Sequence, residues 1–372
     1  MLGRTADLSH LHHLLRQPDC RALVLLGPAG VGKSALAQQL AHQPPLGRTP
    51  LWVSLADVAT ADSFWEAFGR ASGVAVPAVS AVLGQRPWLL ILDGLDHLPN
   101  SAPLLAHLLA IAPTSQLLLT TRQRPPLAEA HLWRVRGLST TAADLAENSA
   151  AQLFLHVANR VNPSAPLRDT AMPAVLEICR QLGGNPLAIQ QAASWVRVLS
   201  CAAIAAELRH NGRHLLAESN LPAAFEQSWN QLAPAPQAAL ATLAHFPHSF
   251  TRAAATAVAD LALPTWAALW DSSLLTQLAD GRYHIPPVYR LLAPPQLIPP
   301  AEAGARLAYF YAELVAGETA ALRGGNLAGA MVILQDERPN WGASVAVGGG
   351  AWGNGRAGTD GHGAVPFSPH CR

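Results

Sequence analysis

Residues 25 to 37, LLGPAGVGKSALA, set Gly27, Gly30, Gly32, Lys33 and Ser34 at the spacing of a phosphate-binding loop. Glycines let a backbone curl around a phosphate with its N–H groups turned inward, and the helix that follows adds a partial positive charge at its start. Gly27, Gly30, Val31, Gly32 and Ala35 would supply main chain to such a cradle. Lys33 would neutralise β- and γ-phosphate oxygens, and the Ser34 hydroxyl would ligate Mg²⁺. Lys33 is the only lysine in the chain, every other basic side chain being arginine. A compact ammonium suits a crowded phosphate cradle better than a planar guanidinium fork does. The expected ligand of the loop is a nucleotide polyphosphate with Mg²⁺.

Those groups need elements to hold them. Leu23 to Leu26 is a short apolar run, and after Ser34 the residues Ala35, Leu36 and Leu40 recur at helical spacing, so the loop joins a buried strand to a helix. Further strands are predicted over 51–55, 88–92 and 116–120, with a helix over 63–71 between them. That alternation predicts an α/β domain with a parallel sheet flanked by helices. The third strand ends in LLILDGLDHL, which brings Asp93 to the carboxyl edge of the sheet beside the phosphates, where it can hold the Mg²⁺ shell. The fourth ends in LLLTTR and puts Arg122 at the same edge, either as a sensor of the γ-phosphate or as an arginine opening a solvated loop.

Composition bounds the rest. The 372 residues are 50% hydrophobic and 13% charged, enough chain for two or three domains with ample core. No apolar run approaches the length of a membrane helix, and the N-terminal MLGRTADLSHLHH has no apolar signal core. Cys20, Cys179, Cys201 and Cys371 lie far apart without metal-ligand spacing, which fits reduced thiols and a cytoplasmic location. A net charge of +1 with no basic block gives no nucleic-acid surface.

Five segments, GRTADL at 3–8, the loop at 27–34, LLILDGLDH at 89–97, LLLTTR at 117–122 and GGNPLAIQQAA at 183–193, resemble in kind and order the motifs of STAND-class signalling ATPases, the NB-ARC-like group. The resemblance covers roughly residues 1 to 340. It implies a P-loop NTPase domain over 1–138, a helical lid domain over 139–215 and a winged-helix domain over 216–300, with 301–341 opening a possible helical repeat domain. It implies that Gly3 and Arg4 lie near the adenine and that Pro186 packs on the base. From the residues alone, GGNP before an apolar-periodic segment is also an ordinary helix start with proline at its first position. The stretch 224–250 resembles the winged-helix part, with 271–285 looking like its last helix and wing hairpin. The 224–250 segment lacks the Lys and Arg needed for phosphate contacts, and winged helices inside such switches look like packing domains, so protein partners or self-association are expected and DNA is not.

Two departures stand out. Such proteins carry a histidine after the hairpin that contacts the ADP phosphate, whereas RYHIPPVYR (282–290) has Pro286 in the matching place. His284, two residues away, is the candidate substitute. Gly94 follows Asp93 where hydrolytic relatives of the wider superfamily have a glutamate to activate water. Asp96 is the nearest candidate base, or else an exposed carboxylate at a helix start. A strong cradle with a weak hydrolytic apparatus predicts a slow ATPase that works as a switch, in signal transduction or transcriptional regulation, with a non-hydrolysing scaffold or an ordinary P-loop enzyme as alternatives. Residues 342–372 contain no leucine and are Gly-rich, so a disordered or frameshifted tail is expected there.

Overall fold

The computed structural model describes residues 1–352 except 46, 99, 142–146, 164–166, 168, 279, 293–300 and 324–326. Five parallel strands, β1 (Ala22–Leu26), β2 (Thr49–Ser54), β3 (Trp88–Asp93), β4 (Gln116–Thr121) and β5 (His131–Arg134), form a sheet of order β2-β3-β4-β1-β5. The four predicted strands are present within two residues at each end. β5 reads as half-exposed HLWR and carries no apolar run that a sequence pattern could register.

All of β1 and β4 is buried, because helices cover both faces. On one face α1 (Thr5–Leu15) and α2 (Lys33–His42) pack Leu11, Leu36 and Leu40 against Leu23, Leu25 and Ile91. On the other, α3 (Ala61–Ser72), α4 (Val76–Gly84) and α5 (Ser101–Ile111) pack Phe64, Phe68 and Leu105 against Val24, Leu90 and Leu119. Each fully buried Leu or Phe stabilises the sheet by about 1.5 to 3 kcal/mol, so continuous apolar strands fix which edge of the sheet stays open for chemistry.

After β5 the chain is helical: α6 (Ser149–Val161), α7 (Met172–Gln181), α8 (Pro186–Ser194), α9 (Cys201–Leu215), α10 (Leu221–Asn230), α11 (Pro234–Leu243), α12 (Arg252–Ala259) and α13 (Leu263–Asp271). A two-stranded hairpin, β6 (Thr276–Gln277) with β7 (Tyr283–His284), follows, then α14 (Pro287–Leu292). The helix before the hairpin ends at Asp271, so it precedes rather than occupies the 271–285 stretch. The apolar residues from Leu138 to Tyr311 form one continuous core, shared by the segments expected as two helical domains.

Two long helices, α15 (Ala301–Arg323) and α16 (Leu327–Trp352), close the described chain. Helical backbone runs through Trp352, past the tail boundary expected at 342. Extending an existing helix costs far less than starting one, and GASVAV is tolerable in it despite its glycine. The rest of the tail expected over 342–372, from residue 353 on and with Cys371, lies outside the described residues. Among the described residues no single helix is long and apolar enough to cross a membrane.

Candidate functional site

β1 delivers the chain to the carboxyl edge of the sheet at Leu26, and the loop that follows turns back into α2. Gly32 sits at the turn with φ of 101°, a left-handed backbone that glycine adopts without a Cβ clash. Gly27 N donates to Thr121 O at 3.2 Å, pinning the start of the loop to β4. Lys33 opens α2 and folds back over the loop, donating from Nζ to Gly27 O (2.8 Å) and Pro28 O (2.9 Å). Burial pushes Lys33 down to about 8, opposed by Asp96 and Asp93 and reinforced by Arg122. Ala35 lies exposed one turn into the helix start, and Val31 is buried.

Register brings the acids alongside. β4 lies between β1 and β3, so Asp93 pairs with Thr120 across the sheet and Leu26 with Thr121. Asp93 Oδ1 accepts from Ser34 Oγ and from Thr120 Oγ1, each at 2.6 Å, while Thr120 Oγ1 accepts from Gly94 N at 2.9 Å. Lys33, Ser34 and Asp93 therefore converge as the motif spacing requires. Thr120 orients Asp93 as its strand neighbour, a relation that no local sequence pattern displays.

The Asp96 and Arg122 side chains are both buried at the sheet edge, which contradicts the alternatives that set them in solvent. The Asp96 side chain is only 7% exposed, on a one-turn 3₁₀ helix, so it is no solvent-facing carboxylate. Its Oδ1 accepts from Thr121 Oγ1 (2.8 Å) and Arg122 N (2.6 Å), and its Oδ2 pairs with Arg122 Nε at 3.1 Å. Burial raises its pKa, but the charges of Arg122 and Lys33 and these hydrogen bonds win and hold it below the usual carboxylate range. A carboxylate so stabilised and so fully engaged is a poor proton acceptor for water. Arg122 opens no solvated loop: it is 5% exposed, and donates to Ala224 O (2.5 Å), Gln227 Oε1 (2.6 Å) and Ser228 Oγ (3.2 Å) of α10.

The residues expected around the base also meet the loop. Arg4, 3% exposed, donates from Nη2 to Val31 O (2.8 Å) and Arg136 O (2.7 Å), so the start of α1 holds the loop from the side. A Cβ on Gly32 would lie 3.9 Å from Pro186 Cγ and 4.0 Å from Arg4 Nη2, which places all three together. Pro186 is at the first position of α8, so the helix-start reading and proximity to the loop both hold. Gly3 lies against the start of α6, where an added Cβ would fall 2.4 Å from Ser149 Cβ.

Three contacts went unread in the sequence. Asn185 caps α8 through Ala188 N (3.2 Å) and also donates to Ala29 O at 2.8 Å, fastening that helix to the loop. Gly184 has φ of 67°, and a Cβ there would lie 2.1 Å from Leu138 O, so the GGNP segment is a close backbone approach as well as a helix start. The buried Tyr289 hydroxyl accepts from Ala29 N at 3.0 Å, joining α14 to the loop across 260 residues of sequence. The nearby His284 is instead engaged by Thr276, 3.0 Å from its Nε2, and burial with Arg290 lowers it to about 4. It is neutral at pH 7. Pro286 O accepts from Tyr289 N at 2.8 Å and shapes the start of α14.

No protein-family model matches the chain. It is 34% identical over 188 residues to a Mycobacterium tuberculosis protein named as a proposed HTH-type transcriptional regulator, a match covering 48% of this chain and 21% of that one. It is 36% identical over 225 residues to an uncharacterized protein of the same organism, covering 57% of this chain and 54% of the other. The chain thus spans between about a fifth and about half the length of these curated relatives. Among solved structures, a signal transduction ATPase with numerous domains and a tetratricopeptide repeat sensor from Pyrococcus horikoshii aligns with 92% of this chain and 52% of its own, at 14% identity and a TM-score of 0.35. A Walker-type ATPase of Pyrococcus abyssi aligns with 78% and 96%, at 14% identity and a TM-score of 0.45. At such low likeness the site is read from its own geometry.

That geometry suits a polyphosphate with a divalent cation. It combines the Lys33 ammonium, a helix start that no side chain caps, and a hydroxyl 2.6 Å from a carboxylate.

Proposed function

We propose that the protein is a nucleotide-dependent switch of the STAND, NB-ARC-like kind, binding ATP or ADP with Mg²⁺ and hydrolysing ATP slowly. The observation that carries the reading is the Ser34–Asp93 pair at 2.6 Å beside Lys33, on a loop that is itself gripped by Arg4, Asn185 and Tyr289 from three other parts of the chain. Lys33 and the main chain of residues 30–35 would hold the phosphates, with Ser34 and Asp93 holding Mg²⁺. The ion would supply charge neutralisation on the β- and γ-phosphates. Arg4 and Pro186 would border the base, with Gly3 behind them.

Slow turnover follows from the acids. Gly94 offers no side chain, and Asp96 is committed to Arg122 and Thr121. Arg122 is read as a link between the sheet edge and α10, from which a γ-phosphate beside Asp93 can draw it away. Segments 139–215 and 216–300 are read as lid and winged helix: α11, α12 and α13 followed by the β6–β7 hairpin have the order of a winged helix, and Phe250 bridges to Tyr283 as a third short strand. The role in signalling or transcriptional regulation, in the cytoplasm and with protein partners or self-association, extends the same reading.

Nucleotide extracted from the purified protein tests it. Co-purifying ADP, with ATP turnover on the order of minutes or slower, is expected. Turnover above about one per second would make the protein an ordinary P-loop enzyme, and absence of any nucleotide binding would make it a scaffold.

A further inference from the structure

A cavity of about 370 Å³ opens at the free edge of the sheet, where β2, the turn after it and α3 meet. No residue of the phosphate loop lines it, and neither does Asp93. Its volume lies in the range of small-ligand sites. β2 is an outermost strand and pairs only with β3 among the described residues. Thr49 N and Leu55 N both donate toward β3, to Pro87 O and Asp93 O. Strand residues alternate in direction, so Trp52 and Ser54 turn their own N–H and C=O groups to the open side. Both residues line the cavity, which therefore meets main-chain donors and acceptors that no strand satisfies.

Two charges of opposite sign face the same space. Asp57 sits in a turn closed by Val58 N donating to Leu55 O at 3.1 Å, and Arg70 lies in the last turn of α3. Neither has a hydrogen-bond or ion-pair partner among the described residues, and the two do not pair with each other. Their supports are rigid. Val58 and Ala67 are buried beneath them, and the Thr60–Ser63 capping box fixes the start of α3. Trp52, half-buried, supplies an apolar wall. A ligand of one charge would engage Asp57 or Arg70 and leave the other without a partner, whereas a molecule carrying both charges satisfies both. An α-amino acid carries its ammonium and carboxylate on one carbon, with a side chain to spare for the wall.

We propose that this cavity binds a free α-amino acid with an apolar side chain. Its ammonium meets Asp57, its carboxylate meets Arg70 and the open N–H groups of the strand edge, and its side chain lies against Trp52. The site stands without any assumption about what the phosphate loop holds.

The test uses the full chain without nucleotide. L-Phenylalanine, L-leucine and L-methionine are titrated by calorimetry, and each is compared with the amine that lacks its carboxylate and the acid that lacks its ammonium. At least one amino acid should bind saturably, one per chain, with Kd below about 10 mM, and its amine and acid should bind about tenfold more weakly. Arg70→Gln should lower the affinity for that amino acid about tenfold and leave that of the amine unchanged, while Asp57→Asn should do the same and leave that of the acid unchanged. Both positions are exposed, so the melting temperature should stay within about 2 °C in each variant. Three results overturn the proposal: no saturable binding of any of the three amino acids, an amine or acid that binds as tightly as its parent, or a variant that leaves all affinities unchanged or weakens all of them equally.

Discussion

At the scale of single residues, Lys33, the one lysine of the chain, is held by two carbonyls of the loop. Lys33→Ala should remove nucleotide binding and leave the melting temperature nearly unchanged; retained ATP affinity in a fluorescence titration would contradict the loop assignment. Its depressed pKa adds a pH signature. Phosphates select the charged form, so ATP affinity should be flat below about pH 8 and fall by about tenfold per unit above it. Stability moves the other way: between about 8 and the ordinary lysine value the unfolded chain binds more protons, so this group's cost to folding is relieved as pH rises through that window. Asp93→Asn should lose the Mg²⁺ dependence of ATP binding more than ADP affinity, since it removes the carboxylate facing Ser34. Equal loss of both would make Asp93 a purely structural residue.

Between elements, the consequential contacts are those that fasten helices to the sheet edge. Arg122→Ala leaves the buried Asp96 carboxylate without its cation and should cost about 3 to 5 kcal/mol by denaturant unfolding. Asp96→Asn/Arg122→Ala together should cost less than Arg122→Ala alone, because no uncompensated charge remains. Asp96, held low in the fold, contributes stability above the ordinary carboxylate range that is lost as pH falls through it. Tyr289→Phe should cost about 1 to 3 kcal/mol by leaving Ala29 N–H buried without an acceptor. The difference between these contacts and the loop explains what could be read in advance. Gly27 to Ser34 and the apolar runs ending at Asp93 and Thr121 are local patterns, and local patterns show in sequence. The Arg122–α10, Asn185–Ala29 and Tyr289–Ala29 contacts join positions 102, 156 and 260 residues apart, so residue type gives no sign of them. Gly184 was half legible: GGNP marked a helix start, but the approach of Leu138 O needed the fold.

Across the whole molecule, one continuous core runs from Leu138 to Tyr311, and the loop touches it at Ala29. The loop and the sheet edge beside it are therefore fastened by packed contacts to α8, α10 and α14. The buried Glu337 extends the contacts further, pairing with Arg282 at 2.7 Å and accepting from Tyr311 at 2.8 Å, and so joins α16 to the hairpin. Hydrogen exchange of the full chain with Mg²⁺·ATP against Mg²⁺·ADP tests the switch most directly. Amides of residues 221–230 and 287–292 should exchange faster with ATP, as the γ-phosphate draws Arg122 from α10 and loosens Tyr289 from Ala29, while β1, β3 and β4 stay equally protected. Identical exchange in both nucleotides, with binding of each demonstrated, would contradict it.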